Sequence, residues 1–111
     1  MYSQSLETSD IQAAKAAKRP ENRISLDQIR AAISTTDYIH PPRHPHMTIC
    51  LLTLNNGFVV IGKSAPADPE NYDEALGDQF AYEDAVRQIW PLMAFSLRDK
   101  LTAQALRRQA D

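Results

Sequence analysis

Two apolar runs, residues 47–54 (MTICLLTL) and 58–64 (FVVIGKS), flank Asn55-Asn56-Gly57. Asn and Gly tolerate positive φ at low cost, so this pattern is a strong β-hairpin signal. Side chains alternate across a strand. Met47, Ile49 and Leu51 therefore share one face of the first strand, and Cys50, Leu52 and Leu54 share the other. In the second strand Phe58 and Val60 oppose Val59 and Ile61. Both faces are apolar, and a lone hairpin is only marginally stable in water. Either helices cover both sides, or one face or edge meets another chain. A homo-oligomer, with a dimer favoured, follows from this feature.

The neighbouring segments supply helices. Ser25 with Gln28 three residues later has capping-box spacing, and Leu26, Ile29, Ala32 and Ile33 fall on one helical face. This predicts a short helix over about 25–34. Pro41, Pro42 and Pro45 then impose an extended loop, with room for a short edge strand around Tyr38. After the hairpin, Asp68 followed by Pro69 resembles an N-cap and first helical position. Apolar residues from Tyr72 to Leu101 recur mostly at three- or four-residue steps, predicting a long helix over about 69–106 with a kink or break near Trp90, before Pro91. Residues 1–22 are polar. They are read as a flexible arm or a short docked helix, and residues 107–111 as a frayed tail. The expected fold is a single α+β domain over 23–106, the hairpin packed on the short helix and the long C-terminal one.

At 111 residues the chain supports one small domain. Its formal net charge is −2, which gives no global attraction to nucleic acid or anionic membrane. The run Asp68, Glu70, Asp73, Glu74, Asp78, Glu83, Asp84 meets no base until Arg87. Acid early and base late suits the dipole of a helix running through this region, and it opposes nucleic-acid binding. Glu83 and Arg87 stand at the i,i+4 spacing of a surface ion pair. A single cysteine excludes an intramolecular disulfide framework. No apolar run approaches a membrane span, and the N-terminus lacks the charge and apolar pattern of a signal peptide. A cytoplasmic location is the expectation.

Chemistry-bearing residues are sparse. His40, His44, His46 and Cys50 are the residue types that bind zinc, but their spacing matches no zinc motif, and Cys50 falls mid-strand. His46 and Cys50 are four strand residues apart, roughly 13 Å at 3.3 Å per residue, which is too far for a catalytic dyad. The carboxylate pairs Asp73/Glu74, Glu74/Asp78 and Glu83/Asp84 lie along one helix rather than across a cleft. None of Gly57, Gly62 and Gly77 belongs to a phosphate-binding loop. Neither catalytic residues nor a cofactor nor a metal is expected, and the chain is not read as an enzyme. Trp90, beside Pro91, reads first as a core anchor and second as a ligand or interface group.

The stretches TICLLTLNNGFVVIGKSA, DPENYDEALG and IWPL, in that order, with ISLDQIRAAI before them, resemble the phage protein family named for phage N4 gene 49 and phage Sf6 gene 66. The resemblance covers about residues 24–101. Its signature positions here are Asn56, Gly57, Phe58, Gly62, Ser64, Asn71, Asp73, Gly77, Trp90 and Pro91. Lys63, Pro66, Asp78, Gln88 and Ala94 depart from the family pattern. The resemblance implies phage or prophage origin and action in the bacterial cytoplasm, and it carries no catalytic role with it. The expected function is that of a non-enzymatic accessory protein that binds a host or phage protein, a host defence component being one class of target. Asn56, Phe58, Asn71, Tyr82, Arg87 and Trp90 are the candidate ligand- or partner-binding residues. A sponge for a nucleotide signal, using Trp90, Tyr82, Asn71 and Arg87, is the alternative. A weak nucleic-acid binder is a third reading.

Overall fold

A computed structural model describes residues 3–110. In chain order the elements are helix α1 (Gln4–Ala16), a 3-10 turn (Pro20–Asn22), helix α2 (Leu26–Ala32), strands β1 (Ile33–Ile39), β2 (Thr48–Leu54) and β3 (Val59–Ser64), a second 3-10 turn (Pro69–Asn71) and helix α3 (Glu74–Ala110). The strands form one antiparallel sheet in the order β1-β2-β3. The fold is α+β, as expected.

The hairpin forms where Asn55-Asn56-Gly57 predicts it. Gly57 adopts φ +89°, a region costly for a residue with a Cβ. The Asn56 side chain accepts the Phe58 N–H at 3.0 Å, and the Leu54 N–H donates to the Phe58 carbonyl at 2.8 Å.

A third strand joins it. β1 pairs with β2 from Ile33↔Leu54 to Ile39↔Ile49, with an irregularity between Ile33 and Thr35. The sequence reading leaves most of this stretch in a loop and extends the preceding helix to residue 34. That helix stops at Ala32, and Ile33 already has extended backbone. Ser34, Thr35, Thr36 and Tyr38 are β-branched, small or aromatic residues that suit a strand, and the prolines begin only after it ends. The chain thus passes from helix to strand without a loop. Ser25 caps α2 with the predicted capping box, its hydroxyl accepting the Gln28 N–H and the Gln28 side chain accepting the Ser25 N–H.

For the N-terminal segment the docked helix is what the structure has. Ser3 caps α1, and its hydroxyl also donates to the Glu83 carboxylate across the fold. Leu6 is buried in the core. Glu7 pairs with Arg30, and Asp10 pairs with Arg23 while accepting the Leu26 N–H. The helix is held by one large apolar side chain and by polar groups, which is why apolar periodicity shows it so weakly.

The C-terminal helix begins at Glu74 rather than at residue 69. Asp68 caps only the short 3-10 turn, Tyr72 is extended, and the Asp73 side chain accepts the Leu76 N–H at 3.0 Å to start α3. α3 then runs 37 residues, through Pro91 to Ala110, without interruption. Arg87, whose carbonyl loses its helical donor to Pro91, is exposed, so water can satisfy that group. At 1.5 Å per residue α3 is about 55 Å long, which sets the long dimension of a 63 × 30 × 20 Å molecule. Its fully buried positions all lie between Gly77 and Ile89, Met93, Leu97 and Leu101 are still partly covered, and the last two to three turns, residues 102–110, are exposed throughout.

The core fills the space between one face of the sheet and the helices. Cys50, Leu52 and Val60 meet Ala81, Ala85, Val86 and Ile89 of α3 and Leu26 and Ile29 of α2. Gly62 brings α3 onto the sheet, for a Cβ there would lie 2.1 Å from the Ala81 carbonyl oxygen and 2.7 Å from the Ala85 Cβ. No helix among the described residues is long and apolar enough to cross a membrane.

Candidate functional site

The side of the sheet away from α3 has no cover among the described residues. Strand register places three rows on it: Ile39, Ile49 and Lys63; Asp37, Leu51 and Ile61; and Thr35, Thr53 and Val59. Ile39, Val59 and Ile61 are 44%, 46% and 57% exposed, and Ile49 and Leu51 are half-buried in the middle strand. The alternation that the sequence reading identifies thus divides the hairpin into two faces. Helices take the Cys50–Leu52 face, and the Ile49–Leu51 face is left open. Contiguous exposed apolar surface is a common feature of interaction sites.

One edge of the sheet is already blocked. The Gln88 side chain donates to the Ile61 carbonyl at 2.8 Å, and Asp84 accepts the Lys63 N–H at 2.9 Å. These two residues of α3 take up backbone groups of β3 that would otherwise be free to pair with another strand. What remains for a partner on this side is the face of the sheet rather than the β3 edge.

A cleft of about 390 Å³ opens where the hairpin turn meets α3, lined by Leu54, Asn56, Phe58, Leu92, Met93 and Ser96 among others. Phe58, Leu92 and Phe95, the last 70% exposed, leave apolar surface along this end of α3. Asn56 and Phe58 are thus brought together, as expected for neighbours in one turn.

The other candidate residues are dispersed. Asn71 lies at the opposite end of the hairpin, in a smaller cleft with Ser64, Tyr72 and Phe80. Tyr82 is buried in the core. Arg87 donates to the Ser5 hydroxyl at 3.3 Å, and Glu83 accepts from Ser3, so the two residues hold the start of α1 instead of forming the expected ion pair. The Trp90 indole N–H donates to the Ile24 carbonyl at 2.9 Å, and its ring packs against the core. Trp90, Tyr82, Asn71 and Arg87 line no common cleft, so the geometry gives a nucleotide pocket built from these four no support.

The histidines and cysteine are likewise separated. Cys50 is fully buried on the helix-covered face, where burial pushes its thiol up to about 11. That suits a packed, inert thiol rather than a nucleophile or metal-binding thiolate. Burial also pushes the neighbouring Tyr38 phenol up to about 12. The rings of His44 and His46 meet edge to face, 6.2 Å apart. His40 turns away from them, with Nδ1 3.3 Å from both the Met47 carbonyl and the Tyr72 hydroxyl.

Residues 24–101 match the model of a family described as phage protein (N4 Gp49/phage Sf6 gene 66). The chain belongs to this family. Within the N4 Gp49/Sf6 gene 66 match lie α2, the whole sheet and the packed part of α3, while α1 lies before it and the projecting end of α3 continues past it. No curated protein and no solved structure matches the chain. Sequence reasoning missed the open-face residues on β1, because Asp37 and Ile39 acquire a face only once β1 is a strand.

Proposed function

We propose that this member of the family is a non-enzymatic phage accessory protein that works in the bacterial cytoplasm by binding a host protein, and that it does so as a homodimer joined through the open face of the sheet. The observation that carries the dimer is the exposed Ile39, Val59 and Ile61 beside the half-buried Ile49 and Leu51, on a sheet whose other face is already packed.

Charge supports a second copy as the occupant. Asp37 on β1 and Lys63 on β3 are the two charged residues of the nine on that face, and they stand on opposite edge strands. A two-fold axis parallel to the strands lays β1 over β3 of the second copy, which brings Asp37 within one row of that copy's Lys63, about 7 Å along the strand and within reach of the lysine side chain, twice over. Packed sheets of this kind align their strands to within about 30°, and an isologous contact must be self-complementary in this way. With the sheet face closed, exposed apolar side chains remain at Ile11, Leu76, Phe80 and Leu106, and at Phe58, Leu92 and Phe95, where Phe58 and Leu92 line one cleft. An exposed helix of this form can enter a groove on a partner, and we assign the host protein to it.

A pull-down from infected cells with the wild-type chain and with the double variant L92E/F95E tests the second contact. A bacterial protein retained by the first and lost by the second, with the assembly state unchanged, is the expected result. Equal retention by both would refute the assignment.

A further inference from the structure

We propose that His40, Glu74 and Asp78 form a binding site for a divalent transition-metal ion at the start of α3. Glu74 and Asp78 stand at i,i+4 on the first turns of that helix, so their carboxylates share one face. The loop after β1 brings His40 against them. One donor atom from each of the three lies within 4.8 Å of the others, and the His40 Nε2 is 3.6 Å from the Asp78 Oδ1. Ligands at about 2.1 Å in a tetrahedral arrangement stand about 3.4 Å apart. Glu74 is the exposed member of the three, so its side chain has room to rotate toward the other two.

Two further observations point to a cation. The first is how His40 is held. A histidine that binds a metal commonly donates its other ring N–H to a backbone carbonyl, which fixes the tautomer. Here Nδ1 faces the Met47 carbonyl at 3.3 Å. With Nδ1 donating there, the Nε2 lone pair faces the Asp78 carboxylate at 3.6 Å, with room for a cation between them and Glu74. The second is unmet polarity. Among the described residues, Thr48 Oγ1 and Asp78 Oδ1 are buried side-chain oxygens without a hydrogen-bond partner. Both belong to this corner. Thr48 is fully buried, and its hydroxyl points at Gly77, 2.8 Å from where a Cβ would stand, beside the ring of Tyr72, whose hydroxyl contacts His40. Buried polar atoms call for partners. Imidazole with carboxylates favours zinc and its neighbours over calcium and magnesium. This site is separate from the open sheet face and from the cleft at Phe58.

Calorimetric titration of untagged protein with Zn²⁺ tests it. One ion per chain is expected. Asp78→Asn and His40→Gln should each weaken binding at least about tenfold, and so should Glu74→Gln, whose exposed position leaves the fold intact. The double variant H44A/H46A should bind as the wild type does, and millimolar Mg²⁺ should not compete. Co²⁺ should show visible d–d absorption that Asp78→Asn abolishes. The proposal is overturned if Zn²⁺ binds the wild type no more tightly than it binds Glu74→Gln and Asp78→Asn, or if only H44A/H46A removes it.

Discussion

Gly62 and Ala81 touch backbone to backbone: a Cβ on Gly62 would fall 2.1 Å from the Ala81 carbonyl oxygen. A side chain at that point would have to push α3 away from β3. Gly62→Ala is expected to destabilise the fold by about 3 kcal/mol or more, as overpacking of a tight interior does. Urea denaturation followed by circular dichroism measures it. Gly57→Ala tests a different cost, since nothing stands within 4 Å of a Cβ there and the penalty is backbone strain at φ +89° alone, about 1 kcal/mol. Similar losses in the two variants would contradict the close approach of α3 to β3.

The docking of α1 depends on a few groups. Leu6→Ala removes its one core side chain, at a cost of about 2–4 kcal/mol. Ser3→Ala removes both the cap of α1 and the hydroxyl that bonds to buried Glu83. It should cost about 1–2 kcal/mol. Hydrogen exchange is the sharper readout. In both variants the amides of residues 7–16 should lose protection while those of β2 keep theirs.

The buried thiol and phenol set an alkaline limit. Burial raises Cys50 from 9.0 to about 11 and Tyr38 from 10.0 to about 12. Below about pH 8 both are neutral whether the chain is folded or unfolded, so stability does not depend on them. Above it the unfolded chain ionises first, and stability falls up to about pH 12. Denaturation midpoints measured from pH 7 to 11 should be flat and then decline. Cys50→Ala should remove the earlier part of the decline. At pH 8 the native thiol should resist an alkylating reagent that modifies the urea-unfolded chain within minutes.

Local signals made the hairpin and the cap of α2 legible, because Asn56-Gly57 and Ser25 with Gln28 act within a few residues of themselves. The apolar periodicity of α3 was legible for the same reason. β1 was hidden, since its residues are mostly polar and exposed and only their pairing with β2 makes them a strand. Helix α1 was hidden because ion pairs to Arg23 and Arg30 do much of the work of apolar contacts. The same limit applies to the sites. The spacing of Glu74 and Asp78 is written in the sequence, but His40 joins them only through the turn after β1. Trp90, Tyr82 and Arg87 look like binding groups by residue type, and each proves to be engaged in holding the fold.

The claim that the open face of the sheet is where two copies meet is tested most directly by solution mass, with charge reversal at Asp37 and Lys63. Light scattering on the wild-type chain at tens of micromolar should give about twice the 12.5 kDa of one chain. D37K and K63D alone each set like charges together and should shift the protein to monomer, whereas D37K/K63D together should restore the dimer. A wild-type mass of 12.5 kDa, or a dimer indifferent to all three variants, would contradict the account.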